Sequence, residues 1–421
     1  MSAWNLDSPA VDFDLSDEQV ALRDAAAALL DHPRWFERLR ERVGPGTVVG
    51  GSSASPPGPR GSTGSSDSGL ASGYDGELWS AMVDQGWPGV ERPESEGGLA
   101  LGMVEVAVLC QQIGRRVAAV PFLASALALD ALVHAQCEDA AAQQSVDEWV
   151  GGLTSGDAVG CVAWSAQPDA LVVSSHGGRP HLSGRPAPVL YAPSASVAIV
   201  VAADGLYAVD LETAGRPQPV AAMDRTRELG WLVLDETPSI RLGGPQAQAR
   251  LTDRAATGAA AEMLGGAERV LEMSVEYAKD RVQFGRPIGS FQAVKHRLAD
   301  ALVDVEGMRS IVFYAAWCVA TGDADASLAA SMAKSWCSDA SRRVASSGLQ
   351  VHGGIGFTWE HDLHLYLKRS QLDQCSFGDA GWHRDRVAGI LRTRIGNHGS
   401  TTTSGDDAAA AGPVPSGGAA G

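Results

Sequence analysis

A helical repeat of apolar residues runs through the last third of the chain, from Asp253 to Arg394. In its first segment, apolar and small residues recur at intervals of three and four, which places one set on a single helix face: Met263, Ala267, Val270, Leu271, Ser274, Tyr277 and Ala278. Three further helical segments follow, with short connections between them. The pattern predicts an up-and-down four-helix bundle over residues 246–396.

The first 150 residues also carry a helical pattern, interrupted by one low-complexity stretch. Near the start, Ser16 followed by Gln19 is a capping box ahead of an apolar helix face. Residues 43–73 are rich in Gly, Ser and Pro and poor in apolar side chains, which predicts a long flexible loop. We therefore expect a helical N-terminal domain over residues 1–150.

The region between the two helical parts has a different texture. Short apolar runs such as Val197–Ala203 and Trp231–Leu234 alternate with Gly, Pro, Asp and Ser, a spacing typical of strands in a small sandwich or barrel. We expect a β domain over residues 151–245 and, after the bundle, a disordered tail over residues 397–421. The predicted fold class is a multidomain α+β protein: a helical N-terminal domain, a central β-barrel or sandwich, and a C-terminal four-helix bundle.

Charge and cysteine usage argue against several classes of protein. The net charge of -17 disfavours binding to nucleic acid or to an anionic membrane, because both need clustered Lys and Arg. Six scattered cysteines without a CxxC pair favour reduced thiols over a disulfide framework or a metal site. No signal-like segment is visible at Met1–Gln19, and the apolar stretch Val117–Leu129 is too short to span a bilayer. We expect a cytoplasmic protein without a metal site.

Two segments stand out from the helical background. The first, Arg281–Gln292 (RVQFGRPIGSFQ), sets an arginine, an aromatic ring and an amide around a Gly/Pro turn between two helices. The second, Gln350–Phe357 (QVHGGIGF), has glycines whose backbone N–H groups can approach a ligand, next to a helix start that favours anions. Taken alone, the glycine turn is more often a helix C-cap, and Arg281 would be a surface charge. Together they suit a pyrophosphate and a nucleobase.

In these segments the chain resembles the acyl-CoA dehydrogenase family. The likeness is densest in R-x-x-F-G-x-x-I-x-x-F-Q and Q-x-x-G-G-x-G-[FY], and it includes Leu15–Gln19, Glu96–Gly98 and Met223–Arg227. The resemblance implies the three-part fold described above and FAD held between two subunits, with Arg281 neutralising pyrophosphate charge. It also implies a set of residues that binds the adenosine-diphosphate half of a flavin held by the neighbouring chain: Arg281, Phe284, Gln292, Gln350, Val351, His352, Gly353 and Gly354.

The chain departs from the family at the catalytic base. In the family a carboxylate, usually in a Glu-Gly-Thr segment, takes the α-proton of the acyl thioester while the β-hydride goes to flavin N5. Here Phe377 stands where the glutamate would be, and the alternative position on the long helix matches Ala255. Asp379 is a substitute base if the turn shifts. Glu262, about 10 Å along the helix from Ala255, is expected to be a surface or interface carboxylate. No catalytic residue is assigned to this chain.

The family pattern around the flavin ring is altered as well. Where the family has a Thr-Glu-Pro-x-Ala-Gly-Ser-Asp loop, this chain has Cys161–Asp169, and no Trp-Ile-Thr-Asn-like strand follows His181–Gly184. Trp164 is expected to be a core or interface tryptophan rather than a ring stacked on flavin. One half of the FAD site is therefore kept, and the other half, with the base, is lost.

This asymmetry resembles actinobacterial family members that work as α2β2 heterotetramers with two flavins. In those, one chain supplies the pocket for the flavin ring and the catalytic base, and the other supplies the residues that bind the adenosine-diphosphate half of FAD. The resemblance implies a second acyl-CoA dehydrogenase subunit as partner, an acyl-CoA substrate that is bulky or steroid-derived, and an electron-transfer flavoprotein or similar acceptor. Two alternatives stay open: a self-sufficient dehydrogenase with an unusual base such as Asp379, and a flavin-free acyl-CoA-binding or scaffold protein.

Overall fold

The computed structural model describes residues 15–44, 73–137, 139–167 and 171–400, with side chains described as far as residue 395. Residues 45–72, most of the predicted flexible loop, lie outside these ranges. Of the predicted tail over residues 397–421, the first four residues continue the last helix, which ends at Ser400, and residues 401–421 lie outside the described part.

Six helices, α1 to α6, form the first part of the described chain: Asp17–Leu30, Pro33–Val43, Gly76–Val83, Met103–Arg115, Phe122–Val133 and Ala140–Ser155. The predicted capping box starts α1: the Gln19 N–H donates to Ser16 Oγ (3.3 Å), and the Ser16 N–H donates to the Gln19 side chain (3.0 Å). The central helix, α5, is apolar and buried on nearly all sides. No helix in the described part of the chain is long and apolar enough to cross a membrane.

Three small sheets follow, built from strands β1 to β9 with a short helix, α7 (Leu211–Ala214), after β6. The strands are Gly160–Ala163, Val172–His176, Arg179–Gly184, Val189–Leu190, Val197–Ala202, Gly205–Asp210, Leu229–Gly230, Leu234–Pro238 and Ile240–Gly243. The strand orders are β1-β5-β6-β9, β2-β3-β8 and β4-β7; β1 pairs with β5 in parallel, and every other pairing of these strands is antiparallel. This region has its own apolar core.

The rest of the described chain is helical: α8 Pro245–Asp280, α9 Gln292–Thr321, α10 Ala326–His352, α11 Leu363–Cys375 and α12 Ala380–Ser400. A hairpin of β10 (Val282–Gln283) and β11 (Arg286–Pro287) joins α8 to α9. Together α11 and α12 run antiparallel to α10, since Leu363 lies near Gly348 at one end and Arg394 pairs with Asp325 at the other. The predicted four-helix bundle is confirmed, with its fourth member broken between α11 and α12.

Two glycines bring α4 and α8 into close contact. A Cβ at Gly265 would lie 1.8 Å from the Gln111 carbonyl oxygen, and one at Gly114 would lie 2.0 Å from that of Glu262. Larger residues would push the helices apart, because protein interiors are close-packed. At the same contact Gln111 Nε2 donates to both carboxylate oxygens of Glu268 at 2.9 Å. The N-terminal helices and the bundle therefore share one core around α8.

A loop of the β region is fixed to this core by buried ion pairs. The loop precedes β7, and its Arg227 pairs with Glu262 of α8 and Asp373 of α11. Its Asp224 accepts a hydrogen bond from Arg369 of α11 at 3.0 Å. The sequence predicts a surface or interface carboxylate at Glu262; this side chain is 3% exposed and lies where α8 meets the β-region loop, so the surface alternative is wrong. Burial is possible since Arg227 compensates its charge.

Candidate functional site

The end of the bundle at which α8 and α10 stop carries both sequence segments. Tyr277, in the last turn of α8, stacks on His352, the last residue of α10, with ring centroids 4.5 Å apart. After Asp280, Arg281 adopts an extended backbone as the C-cap of α8. The structure therefore brings Arg281 and the turn at Gly353 to the same end of the bundle.

The hairpin between α8 and α9 has an aromatic ring at its tip. Phe284 and Gly285, the two tip residues, have φ of 54° and 77°, the pattern of a type I′ turn. A phenylalanine with positive φ is uncommon, so the backbone here is strained. The Phe284 side chain is 91% exposed. Its ring is free to contact a ligand or a second chain.

Arg281 and Gln292 flank this hairpin, and both are exposed. Within the part of the chain that the structure describes, Arg281 makes no ion pair, so its charge is uncompensated. Gln292 is the first residue of α9, where unpaired backbone N–H groups form the positive end of a helix. A guanidinium, an amide and a helix start are thus presented together to the outside.

The glycine turn is open on its outer side. Gly353 has φ 64°, which favours glycine, and a Cβ at Gly353 or Gly354 would meet no atom within 4 Å. The turn ends α10 and continues as a 3₁₀ turn over Gly353–Phe357, whereas α11 begins only at Leu363. The expectation of an α-helix start beside the glycines is therefore wrong. The α-helix that starts near the two motif segments is α9, directly after the hairpin.

The other residues of the glycine segment divide between inside and outside. Gln350 is exposed, whereas Val351 and His352 are buried. His352 Nδ1–H donates to the Gly348 carbonyl oxygen at 2.8 Å, and its ring lies 4.5 Å from that of His361. Burial lowers the pKa of His352. Val351 and His352 therefore support the turn from within, and the remaining predicted residues form an outward face, here called the glycine-turn surface: Arg281, Phe284, Gln292, Gln350, Gly353 and Gly354.

A cleft of about 790 Å³ lies between the β region and the join of α11 and α12. We call it the interdomain cleft; one wall comes from residues 162–167 and the other from residues 372–382. Trp164 lines it and packs edge-to-face on Trp382, with centroids 5.0 Å apart. Residues 168–170 of the altered family loop lie outside the described ranges. Trp164 is half-buried against the bundle, and the ring that it contacts is the indole of Trp382.

Two buried basic side chains hold the loop between α11 and α12 from behind. Lys334 of α10 donates to the carbonyl oxygens of Gln374 (3.0 Å) and Gly378 (2.7 Å). His383 Nε2–H donates to the Phe377 carbonyl oxygen at 2.9 Å. Burial lowers the pKa of Lys334 to about 8 and that of His383 to about 3, so His383 is neutral at pH 7. Two carbonyl groups of the loop and one in the last turn of α11 are thus held from behind.

Neither family position for the catalytic base carries a carboxylate. Phe377, with φ 57°, borders the interdomain cleft and is 8% exposed. Ala255 is fully buried in α8. Asp379 is exposed at the cleft, and its Oδ1 accepts the N–H of Trp382 at 2.8 Å, which caps the start of α12. Glu262 is engaged with Arg227.

Sequence reasoning missed Lys334 and His383, the two residues that fix this loop. One signal was available for Lys334, since it lies among small and apolar residues on the face of α10 that carries Ala330, Ala333 and Cys337. A lysine on such a face needs buried acceptors. Nothing comparable marks His383, whose acceptor becomes visible only in the fold.

Comparison with known proteins identifies the class. The acyl-CoA dehydrogenase N-terminal domain matches residues 69–157, and the acyl-CoA dehydrogenase C-terminal domain matches residues 243–391. The chain is 38% identical to acyl-CoA dehydrogenase IpdE2 of Mycobacterium tuberculosis over 71% of its own length and 81% of that protein. It is 35% identical to acyl-CoA dehydrogenase FadE27 of the same organism, over 75% and 87% of the two chains. The chain belongs to the acyl-CoA dehydrogenase family, as its two motifs predicted.

Solved structures place it near multi-chain members of that family. The ChsE4-ChsE5 complex from Mycobacterium tuberculosis is similar with a TM-score of 0.76 and 26% identity, covering 91% of this chain and 99% of the other. The Tcur3481-Tcur3483 steroid acyl-CoA dehydrogenase variant gives the same TM-score and identity, covering 90% and 99%. The predicted fold class is thereby confirmed.

Membership of this family also confirms FAD as the cofactor. The glycine-turn surface fits the adenosine-diphosphate half of that group, because Arg281 offers an uncompensated positive charge and Gly353 and Gly354 leave open space above their backbone. When bound, FAD would supply a hydride acceptor for acyl-CoA dehydrogenation. The interdomain cleft is lined by Trp164 and Phe377, which belong to the segments that the resemblance aligned with the family's ring-binding loop and base, and by Trp382.

Proposed function

We propose that this chain is the non-base-bearing subunit of a heteromeric, FAD-dependent acyl-CoA dehydrogenase. It binds the adenosine-diphosphate half of an FAD whose ring lies in a partner acyl-CoA dehydrogenase chain, in an α2β2 assembly. One observation carries the proposal: the six residues of the glycine-turn surface lie exposed together at one end of the bundle, while Phe377, in a fixed loop, stands where the resemblance predicts the base.

The exposure of the glycine-turn surface favours a ligand shared with a second chain. Phe284 lies edge-to-face with Phe291, with ring centroids 6.1 Å apart, yet remains 91% exposed, and Arg281 has no acidic partner among the described residues. A pyrophosphate on Arg281 and a purine near Phe284 would leave the rest of the cofactor beyond this chain. A partner that covers the FAD from its other side would also bury the exposed aromatic ring.

The fixed loop argues against Asp379 as a substitute base. That role requires the turn after α11 to move so that a residue two positions further on takes the place of Phe377. Lys334 holds the carbonyl group of Gly378 and His383 holds that of Phe377, and Asp379 itself caps α12. Shifting the loop would take the Gly378 carbonyl oxygen from the buried Lys334 and the Phe377 carbonyl oxygen from the buried His383, at roughly 1–3 kcal/mol for each lost hydrogen bond.

The proposed substrate is an acyl-CoA thioester, bulky or steroid-derived, and the proposed acceptor is an electron-transfer flavoprotein or a similar protein. The substrate class rests on the steroid acyl-CoA dehydrogenase among the similar structures. The partner's carboxylate removes the α-proton in this scheme. This chain contributes cofactor affinity and supports the assembly.

Each of two alternative functions is favoured by one observation. Asp379 does border the interdomain cleft, which is the observation in favour of a self-sufficient dehydrogenase. A flavin-free acyl-CoA-binding or scaffold protein would keep the fold, and it is favoured by the absence of a carboxylate at Phe377 and Ala255.

Complementation of activity separates the three. The chain and the acyl-CoA dehydrogenase chain that co-purifies with it are assayed alone and mixed, with an acyl-CoA thioester and an artificial electron acceptor. We expect turnover only in the mixture, abolished by changing the partner's base to Gln and kept with Asp379→Asn in this chain. Turnover by this chain alone would support the self-sufficient enzyme, and a partner fully active without this chain would support the scaffold.

A further inference from the structure

A cavity of about 370 Å³ lies between α6 and the β region, on residues that neither the glycine-turn surface nor the interdomain cleft uses. Ala141, Ala142 and Trp149 of α6 form one wall, and Ala208 and Ala214 lie opposite. The alanines leave a space next to the half-buried indole ring of Trp149. Its volume falls at the lower end of the range for small-molecule pockets, about 300–1,000 Å³.

Most polar groups around this cavity already have partners within the protein. Asp139 caps α6 by accepting the Ala142 N–H at 2.7 Å, and Asp210 caps α7 and accepts the Thr213 hydroxyl at 2.7 Å. The Ser239 hydroxyl donates to the Pro180 carbonyl oxygen at 3.1 Å. The walls therefore offer an apolar surface and few groups that need a ligand's hydrogen bonds.

Arg179 is the exception. It opens β3 directly after the Gly177–Gly178 turn, lines the cavity and is exposed. Among the residues that the structure describes, no carboxylate pairs with its guanidinium. The second arginine at the cavity, Arg241, differs, because it donates to the Asp204 carbonyl oxygen at 3.1 Å. Arg179 is thus a planar, permanently charged donor beside an apolar space.

We propose that this cavity is a second binding site, for a small amphipathic monoanion with an aromatic or short aliphatic body. The apolar body lies against Trp149 and the alanines, and a carboxylate or sulfonate pairs with Arg179. Asp139 and Asp210 at the same cavity repel additional negative charge. Nucleotides and coenzyme A, which carry several phosphate charges, are therefore disfavoured, and the site is independent of the proposed flavin site.

Two fluorescent probes that share a ring skeleton test the charge requirement. 8-Anilino-1-naphthalenesulfonate is a monoanion, and N-phenyl-1-naphthylamine lacks the sulfonate. Both are titrated into the full-length chain in the assembly with which it purifies. We expect saturable binding of the anion at this site, weakened roughly ten- to a hundredfold by Arg179→Gln, while binding of the neutral probe changes little.

Control and filling variants make the outcome decisive. Arg185→Gln removes another exposed arginine of the β region, which lies over Trp231 at 4.0 Å, and it should leave anion binding unchanged. Ala142→Phe and, independently, Ala214→Phe fill the cavity and should weaken binding of both probes without lowering the melting temperature. Anion binding that is equal in wild type, Arg179→Gln and both filled variants would overturn the proposal.

Discussion

The glycine-turn surface and the interdomain cleft differ in how their polar groups are satisfied. At the glycine-turn surface, Arg281 and Gln292 point outward without partners among the described residues, and the glycines leave their backbone open. At the cleft, the loop carbonyl groups are taken by Lys334 and His383. The first region leaves these polar groups open to contacts from outside the chain, whereas in the second the Phe377 and Gly378 carbonyl groups are paired within the chain.

The difference suits the proposed roles of the two regions: ligand binding at the glycine-turn surface and a structural role for the loop at the interdomain cleft. Phe284 holds an aromatic ring at a strained φ with 91% of the side chain exposed, which supports the proposal of an external contact there. Phe377 also has a positive φ, but it is buried and supported from behind. The strain at Phe377 is therefore offset by contacts within the chain.

Both regions are attached to α8 and α11. The largest expected effect, a loss of stability, therefore comes from removing the ion pairs that fix those helices. Arg227→Leu leaves Glu262 and Asp373 buried without their counter-charge and should lower the free energy of unfolding by about 3–5 kcal/mol. Arg343→Ala, which removes a half-exposed partner of Asp304, should cost at most about 1 kcal/mol. Urea denaturation measures both; equal, small losses would show that the buried cluster does not fix the two regions.

The next effect concerns the loop at the cleft and depends on pH. Because the pKa of Lys334 falls from 10.5 to about 8 on folding, its contribution to stability is fully present above pH 10.5 and is lost as pH falls through 8. Relative to Lys334→Met, the free energy of unfolding of the wild type should rise by up to about 3 kcal/mol between pH 8 and 10.5. Denaturation across this range checks the difference, with Lys295→Met, an exposed site, as control. If the free energy of unfolding changed with pH in the same way in the wild type and in Lys334→Met, the lowered pKa of Lys334 would be contradicted.

At the glycine-turn surface, Arg281→Ala should weaken FAD binding by the assembled protein. Loss of a charge-assisted contact to pyrophosphate costs about 1.5–3 kcal/mol, or roughly ten- to a hundredfold in the dissociation constant. Arg384→Ala on α12 is the matched control. It breaks an exposed ion pair with Asp339 of α10 and should leave the affinity for FAD unchanged. Fluorescence titration of the apo assembly with FAD gives both constants. Unchanged affinity in Arg281→Ala would remove the surface from the cofactor site.

The smallest expected effect belongs to Asp379→Asn. The amide keeps the cap on the Trp382 N–H, so turnover of the assembly should stay within a few-fold of the wild type. A general base typically contributes 10²–10⁴-fold, so its loss would be unmistakable. Steady-state rates with flavin content measured in parallel decide between these results. A hundredfold loss at constant flavin content would make the cleft of this chain catalytic.

Features that depend on neighbours in sequence were predictable, and features that depend on distant partners were not. The Ser16–Gln19 capping box needs four consecutive residues and forms as predicted. The burial of Glu262 depends on Arg227, which the fold brings from the β region to α8, so periodicity alone assigned Glu262 to the surface. Local pattern gives helix faces, but pairing across domains decides which charges are buried.

The candidate site shows the same limit. Its motifs identified the segments around Arg281 and Gly353, because each motif is contiguous in the chain. They did not show that His352 turns inward onto Tyr277 or that a 3₁₀ turn, rather than an α-helix, follows Gly353. Side-chain direction at a turn follows from backbone φ and from packing against other helices, neither of which the motif letters specify.

The ratio of FAD to chain tests the central claim most directly. FAD is released by denaturation from the chain purified alone and from the assembly with its partner, and is quantified against each polypeptide. We predict essentially no FAD on the chain alone and one FAD per pair of unlike chains in the assembly, since this chain supplies only the adenosine-diphosphate half. A homo-oligomer of this chain that carries one FAD per copy and oxidises acyl-CoA would contradict the account.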